Sequence, residues 1–556
     1  MLRYFLKIHI HERIFIFSRE NEFSASSTQI LFGLHFVVDF FLSLQNKFNN
    51  IHPDIEPLVC FIMRSETVLL SLALPSLLVA RQRPNILIAI ADDQSYPYAS
   101  AYGTSSVSTP GFDEVARKGV AFTNAYVCSP GSSPSRASIL TGRYPWQIAE
   151  AGTHASSFPS DLLCFPDFFA QHGYLTGYTG KGWGPGNWKI SGRKQNPAGP
   201  VYNDYKLQPP YRGLSTIDYS ANFRQFLSER KKGQPFLFWY GANEPHRPYT
   251  QDAWQKEGRQ LSDVIVPPFL PDAEVVRADI SNYTMEIEWF DRHLCNMIEV
   301  LKQNGLMDNT IIIVTADNGM PFPHAKANCY DAGVHVPLAI CWGNRMPHAS
   351  LQDAIVSLVD LFPTIADMAG LNRDTLSLSG QSLAPLLGVC KGNYTRTAAF
   401  SGRERHSSAR FKNWGYPIRS IRSDNFLLIY NMHCERWPAG NPLLLDDTNL
   451  QRGYRDIDDG PTKSYLISHH FEMEVSPYYM AAVNKRPEYE LFDLIKDPQC
   501  MHNVYYNTEY KQVSEKLRKQ LHEMLKESGD SRYGTNPEVW ETYPRLAGST
   551  NLFPPE

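Results

Sequence analysis

Three continuous apolar runs lie in the chain after residue 84, and each ends in polar residues. Ile86-Leu87-Ile88-Ala89-Ile90 runs into Asp92-Asp93, Phe236-Leu237-Phe238-Trp239-Tyr240 into Asn243-Glu244-Pro245-His246, and Ile311-Ile312-Ile313-Val314-Thr315 into Asp317-Asn318. Runs of this length, without alternation, predict strands buried on both faces. Apolar positions at helical spacing predict helices over 164–172, 219–230 and 280–303. The economical topology is an α/β domain with a parallel sheet and crossover helices. Ligands of open α/β sheets bind beyond the carboxyl ends of the strands, so the three polar clusters are predicted to meet on one edge. Further on the pattern changes: 426–430 and 489–494 read as short antiparallel strands, Asp497-Pro498 as a turn and 510–527 as a packing helix. These divide the chain into a large domain over 83–390 and a smaller one over 391–556.

The first 80 residues read differently. Met63-Arg64 followed by apolar residues 68–74 and 77–80 is a charged start, a short apolar run and a small residue, the pattern of a secretory signal. Residues 63–80 are therefore expected to direct export, with 1–62 a doubtful extension before the true start. The apolar stretch 30–44 inside that extension contains His35 and Asp39 and is too short to span a bilayer, so no stable membrane partner is expected.

A chain of 556 residues is long enough for more than one core. With 43% hydrophobic residues and a formal net charge of −4, it has no basic excess to hold a polyanion, which argues against nucleic acid. Nine cysteines, scattered without metal-type pairs, do not suggest a dense disulfide framework.

Asp92, Asp93, Asp317 and Asn318 would bring several hard oxygens to one place, which is costly unless a cation neutralises them. Oxygen-only ligation favours calcium or magnesium over zinc. Either acidic pair alone is equally consistent with capping a helix; two pairs at equivalent strand ends favour a divalent metal.

The most informative stretch is Cys128-Ser-Pro-Gly-Ser132-Ser-Pro134-Ser-Arg136-Ala-Ser138-Ile-Leu140-Thr141-Gly142-Arg143. A loop entering a helix near Pro134 offers free backbone N–H groups, and Arg136 is placed to pair with a tetrahedral anion or to fix a nucleophile. Ser132-x-Pro134-x-Arg136 followed by Leu140-Thr141-Gly142-Arg143 resembles the modification signature of the sulfatase family, in its serine form. Cys128 begins a similar string but lacks the arginine that the signature requires. The resemblance implies an alkaline-phosphatase-like fold, with a large, mostly parallel sheet sandwiched by helices and a smaller C-terminal antiparallel sheet. It implies a maturation enzyme that oxidises Ser132 to formylglycine, whose hydrate is the nucleophile. It also implies one Ca2+ held by Asp92, Asp93, Ser132, Asp317 and Asn318. The serine form further implies a bacterial source, and with the signal sequence a periplasmic or secreted enzyme.

Other positions of the family's pattern carry over one at a time. Lys181 in Gly180-Lys181 resembles a sulfate-binding lysine, His246 resembles the histidine near the leaving group, and Lys326 resembles the second sulfate-binding cation. Each has a chemical reason, because cations neutralise sulfuryl oxygens and an imidazole or ammonium can protonate a departing atom. Asp317 would help deprotonate the attacking hydroxyl. One position departs: where the family commonly has a histidine two residues after the lysine, this chain has Trp183, which leaves His154 or His324 to act there, or solvent. The stretches 317–323, 244–247 and 416–420 resemble the N-sulfoglucosamine sulfohydrolase (heparan sulfamidase) branch, with Glu244 where that branch has aspartate and Lys326 where it has arginine. The expected substrate is a sulfated sugar of glycosaminoglycan type, with N-sulfoglucosamine foremost and a carbohydrate O-sulfate as the alternative. A phosphoryl-transfer hydrolase using unmodified Ser132, or a non-catalytic glycan binder, are the readings from other classes. Arg403, Arg405, His406 and Arg419 are further candidates for contact with an anionic sugar.

Overall fold

The computed structural model describes residues 82–547 except 344, 347–349 and 446–448. The expected signal at 63–80 and the extension before it lie outside the described residues. From Arg83 onward the chain forms one compact unit, and among the described residues no helix is long and apolar enough to cross a membrane.

The apolar runs form the strands they predict. The large sheet contains β1 (Asn85–Ala91), β2 (Val120–Phe122), β4 (Leu175–Gly180), β5 (Phe236–Gly241), β6 (Thr310–Ala316), β7 (Leu338–Trp342) and β8 (Ser350–Gln352). Their order is β4-β5-β1-β6-β7-β2-β8. The pairs β4·β5, β5·β1, β1·β6 and β2·β8 are parallel, whereas β7 runs antiparallel to both β6 and β2. A pair of two-residue strands, β3 (Ala125–Tyr126) and β9 (Val356–Ser357), stands apart. Helices α1 (Pro110–Lys118), α2 (Ser132–Thr141), α3 (Phe165–Gln171), α4 (Tyr219–Ser228), α5 (Glu274–Gln303) and α6 (Leu361–Met368) supply the crossovers and covering layers. Every residue of β1, β5 and β6 is buried, as strands with helices on both faces must be. The long helix α5 starts six residues before the expected 280, because its first turns pack Val276 and Ile280 into a second apolar cluster with Met320 and Phe322.

The second sheet is antiparallel: β10 (Ala398–Arg403), β11 (Ile418–Ser423), β12 (Phe426–Asn431) and β13 (Tyr489–Asp493) follow one another in space as in sequence. Further on lie α7 (Pro461–Ser468), α8 (Ser476–Val483) and α9 (Lys511–Glu527). Leu517, Leu521 and Leu525 of α9 share one buried cluster with Ile421, Leu428 and Leu491 of the sheet and with Tyr144 and Trp146 of the chain after α2. At its edge, Gly402 N–H donates to the Cys128 carbonyl at 2.8 Å and Ser401 Oγ to that of Val127 at 2.6 Å. The second sheet thus braces the segment that leads into Ser132.

Candidate active site

Ser132 is the first residue of α2, and it is buried. Its Oγ donates to Asp92 Oδ1 at 2.9 Å and approaches Asn318 Oδ1 at 3.4 Å. Asp92 and Asp93 follow β1, and Asp317 and Asn318 follow β6, the neighbouring strand in parallel register, so parallel pairing carries both polar ends to one edge. Asp93 has φ 77°, a left-handed conformation that costs a residue with a Cβ roughly 1 kcal/mol. The turn lets its N–H donate to Asp317 Oδ1 at 3.0 Å while its own Oδ1 accepts from Asn318 Nδ2 at 2.7 Å. Asp92, Asp93 and Asp317 each present a carboxylate oxygen within 4.8 Å of the others, all three buried. Three ionisable oxygens this close, with an amide oxygen beside them, fit a hard divalent cation.

Arg136, one helical turn after Ser132, does not reach out toward an anion. Its Nε donates to Asp317 Oδ2 at 2.7 Å and one terminal nitrogen to the carbonyls of Lys181 at 2.8 Å and Gly182 at 3.2 Å. The other terminal nitrogen is buried 3.8 Å from Asp92 Oδ1, with no hydrogen bond among the described residues. Arg136 therefore ties α2 to both acidic strand ends. Lys181 follows β4, and its Nζ donates to Asp92 Oδ2 at 2.5 Å. Gly241 makes this approach possible: a Cβ there would fall 1.9 Å from the Lys181 carbonyl oxygen and 2.9 Å from the Arg136 guanidinium.

Lys326 is buried between two carboxylates, 2.7 Å from Asp93 Oδ2 and 2.7 Å from Asp458 Oδ2. His246 is the most open of these groups, with 41% of its side chain exposed and Nε2 at 4.0 Å from Asp93 Oδ2. Its Nδ1 faces the Arg247 carbonyl at 2.6 Å, which fixes the proton on Nδ1 and turns Nε2 toward the acidic cluster. The loop is set from beneath by buried Glu244, which accepts from Ser215 N–H at 2.7 Å and the Tyr219 hydroxyl at 2.8 Å.

Charge in this cluster is finely divided. Burial works to raise the Asp92 carboxyl, but Lys181 and Arg136 overcome it and hold Asp92 far below the usual carboxylate range. Burial and the adjacent Asp92 charge push Asp317 up to about 6 despite Arg136. Burial opposes the Lys326 ammonium, yet Asp458 and Asp93 hold its pKa well above the usual lysine value. Both lysines are thus bound to the acidic groups, and the residual negative charge on Asp317 is what a metal ion would offset.

Trp183, at the position where a histidine was sought, is buried: its Nε1 donates to the Ser133 carbonyl at 3.0 Å and its ring packs edge-on against Phe158. It props the start of α2. His324 does not approach Ser132. It lies between the carbonyls of Ala481 and Gln499, stacked on Tyr330. His154 does come close: with His406 it forms a tilted ring pair at 4.4 Å, packed against Gly131, where a Cβ would meet His406 Nδ1 at 3.1 Å. Cys128 is a buried thiol raised to about 12 by burial, and none of the described cysteines forms a disulfide.

The expectation that Arg403, Arg405 and Arg419 meet an anionic sugar is corrected by the structure. Arg419 is buried between Asp530 and Glu404. Arg403 donates to the carbonyls of Ala327, Tyr416 and Pro438, and Arg405 to that of Tyr543. All three fasten loops together. Asp458 is the site residue that sequence reasoning missed. Its only trace is the acidic string Asp456-Ile457-Asp458-Asp459 before Pro461, which nothing links to the strand ends.

His406 yields a pH prediction. Burial pushes its imidazole down to about 3, so the folded protein resists a proton that the unfolded chain accepts near 6.5. The unfolded state then binds more protons between these values, and the stability His406 confers is complete above pH 6.5 and lost as pH falls toward 3. His406→Gln removes this term. Between pH 7 and pH 5 the variant is expected to lose about 2 kcal/mol less unfolding free energy than wild type in urea titrations.

An α/β fold with a serine at a helix start, set in a buried acidic metal-type cluster and flanked by cations, is the arrangement of enzymes that act on tetrahedral oxyanion groups. Comparison with known proteins narrows the class. The family profile described as "Sulfatase" matches residues 84–371, just over half of the chain, and the one described as "N-sulphoglucosamine sulphohydrolase, C-terminal" matches 462–527. The chain belongs to the sulfatase family, and it is a hydrolase of sulfate esters or sulfamates. Human N-sulphoglucosamine sulphohydrolase is 26% identical over 486 residues, covering 80% of this chain and 90% of that protein. An ulvan-active sulfatase of Formosa agariphila is 26% identical over 475 residues, covering 81% and 76%. Among solved structures, BT4656 in complex with its substrate D-glucosamine-2-N,6-O-disulfate superposes with a TM-score of 0.57 at 20% identity, covering 81% of this chain and 98% of that one. That likeness establishes the fold.

Proposed function

We propose that this sulfatase releases sulfate from a sulfated sugar of glycosaminoglycan type, with N-sulfoglucosamine as substrate, using Ser132 oxidised to formylglycine. The observation that carries the reading is the position of Ser132 Oγ, at the start of α2 and 2.9 Å from Asp92, inside the buried acidic set. Ser132 is also the residue at the head of the family's modification signature. The match of 462–527 to the sulfamidase C-terminal profile and the similarity to the human enzyme favour N-sulfoglucosamine over an O-sulfate. Maturation requires a partner enzyme, and an exported, periplasmic or secreted location is part of the proposal.

Asp92, Asp93, Asp317 and Asn318 would hold Ca2+, which when bound neutralises charge on the nucleophile and on the sulfuryl oxygens. The chain's own groups do the rest. Lys181 and Lys326 sit against the cluster, 2.5 Å from Asp92 and 2.7 Å from Asp93, and present positive charge to the oxygens of an incoming sulfate group. His246, with Nε2 turned to the cluster and open to solvent, delivers a proton to the departing nitrogen or oxygen when it is the imidazolium, giving up the Nε2 proton and keeping the one on Nδ1 that faces the Arg247 carbonyl. Arg136 keeps Asp317 ionised and aligned.

The test is release of inorganic sulfate from glucosamine N-sulfate and from glucosamine 6-sulfate by the matured, calcium-loaded protein. Turnover of the N-sulfate, lost after chelation and restored by Ca2+, is expected. Turnover of the 6-sulfate alone would make the protein an O-sulfatase, and turnover of neither, with activity on an aryl phosphate, would indicate phosphoryl transfer by unmodified Ser132.

A further inference from the structure

Asp458 has no counterpart among the strand-end residues, yet its carboxylate oxygen lies within 4.8 Å of the ligand atoms of Asp93 and His246. It stands on a loop clamped at both ends. Asp456 is fixed by Arg410 at 2.6 Å, and the Ile457 carbonyl accepts from Lys463 at 3.0 Å. On the far side Gly460 packs so tightly on Arg247 that a Cβ there would fall 2.5 Å from the guanidinium. Arg247 is held by both oxygens of Asp279, at 2.8 and 2.7 Å, and Thr462 Oγ1 donates to the same carboxylate at 2.6 Å. The Asp458 loop and the His246 loop are therefore locked to each other through the Arg247–Asp279–Thr462 contacts.

Within this frame the Lys326 ammonium fills the gap between Asp93 and Asp458, 2.7 Å from each, so the trio of Asp93, His246 and Asp458 has no need of a second cation. Asp458 Oδ2 serves Lys326. No hydrogen bond among the described residues reaches Oδ1, and the side chain keeps 22% of its surface exposed. The result is a fixed, ionised acceptor on the same side as the open His246, where a leaving group would sit.

We propose that Asp458 is a specificity-determining residue, accepting a hydrogen bond from a hydroxyl or amine of the sugar beside the sulfated atom. The proposal rests on the reading of the site as a sulfated-sugar hydrolase. The same charge repels a leaving group with a carboxylate or second sulfate at that neighbouring position, which makes Asp458 selective in both directions. A hydrogen bond to an ionised acceptor that is lost on substitution weakens recognition roughly 10- to 100-fold.

The test uses Asp458→Asn in the full matured chain, with two probes: whichever of glucosamine N-sulfate and glucosamine 6-sulfate wild type turns over, and 4-nitrophenyl sulfate, which has no neighbouring donor. The expected result is a loss of kcat/KM on the sugar roughly 10- to 100-fold larger than the loss on the aryl sulfate, the latter measuring whatever passes through Lys326 alone. Equal losses on both would overturn the proposal and reduce Asp458 to a partner of Lys326; so would unchanged rates on both. Failure of the underlying reading is distinct, since wild type would then release sulfate from neither sugar.

Discussion

Ser132→Ala is expected to lower sulfate release by at least about 10^4-fold while leaving a folded protein, because it deletes the atom from which the proposed nucleophile is made. The side chain makes one good hydrogen bond, to Asp92 at 2.9 Å, and its loss costs about 1 kcal/mol. The helix does not depend on it, since Gly131 rather than Ser132 precedes the first turn and no side chain caps that end. Asp92 keeps its ionic partner in Lys181. Initial-rate assays, with circular dichroism on the same sample, separate lost chemistry from lost structure. A variant that retains more than about 1% of wild-type kcat/KM would contradict the assignment.

Arg419→Met is expected to be the most destabilising single change in the second sheet, by about 3–5 kcal/mol. Arg419 is fully buried and bridges Asp530 at 2.7 Å and Glu404 at 2.6 Å, two carboxylates that are themselves buried. Its guanidinium lies over the Trp146 ring at 5.2 Å. Methionine refills the volume but leaves Asp530 without its main ionic partner, and Glu404 with only Arg532. Because β10, paired along its length with β11, braces the backbone before Ser132, the loss is expected to appear as a lower urea midpoint together with a lower active fraction at 37 °C. A change below about 1 kcal/mol would show that the two carboxylates find other partners.

The parts of the molecule that were legible in the chain share a physical property: their function is encoded by a local run. β1, β5 and β6 are unbroken apolar segments because both faces are covered, and each ends in the polar residues that the site uses. The Ser132 to Arg143 stretch is contiguous, and the glycine-lysine and histidine positions each follow a strand. What escaped were relations between distant segments. β2, β3, β8 and β9 are two or three residues long, too short for periodicity to register. Asp458 reaches Lys326 across 132 positions of sequence from a loop without pattern. Arg403, Arg405 and Arg419 read as exposed positive charge because sequence shows ionisation and not burial, and the carboxylates and carbonyls that accept their hydrogen bonds lie up to 138 residues away. Trp183 was visible as an oddity, but its reason, a hydrogen bond beneath the first turn of α2, needed the fold.

The most direct measurement is the mass of the peptide spanning Ser132 in protein purified from cells with a serine-type maturation enzyme. Loss of two hydrogens at Ser132, with trapping by a hydrazide, is the result that the proposed formylglycine nucleophile requires. An unmodified serine in protein that releases sulfate at full rate would contradict it.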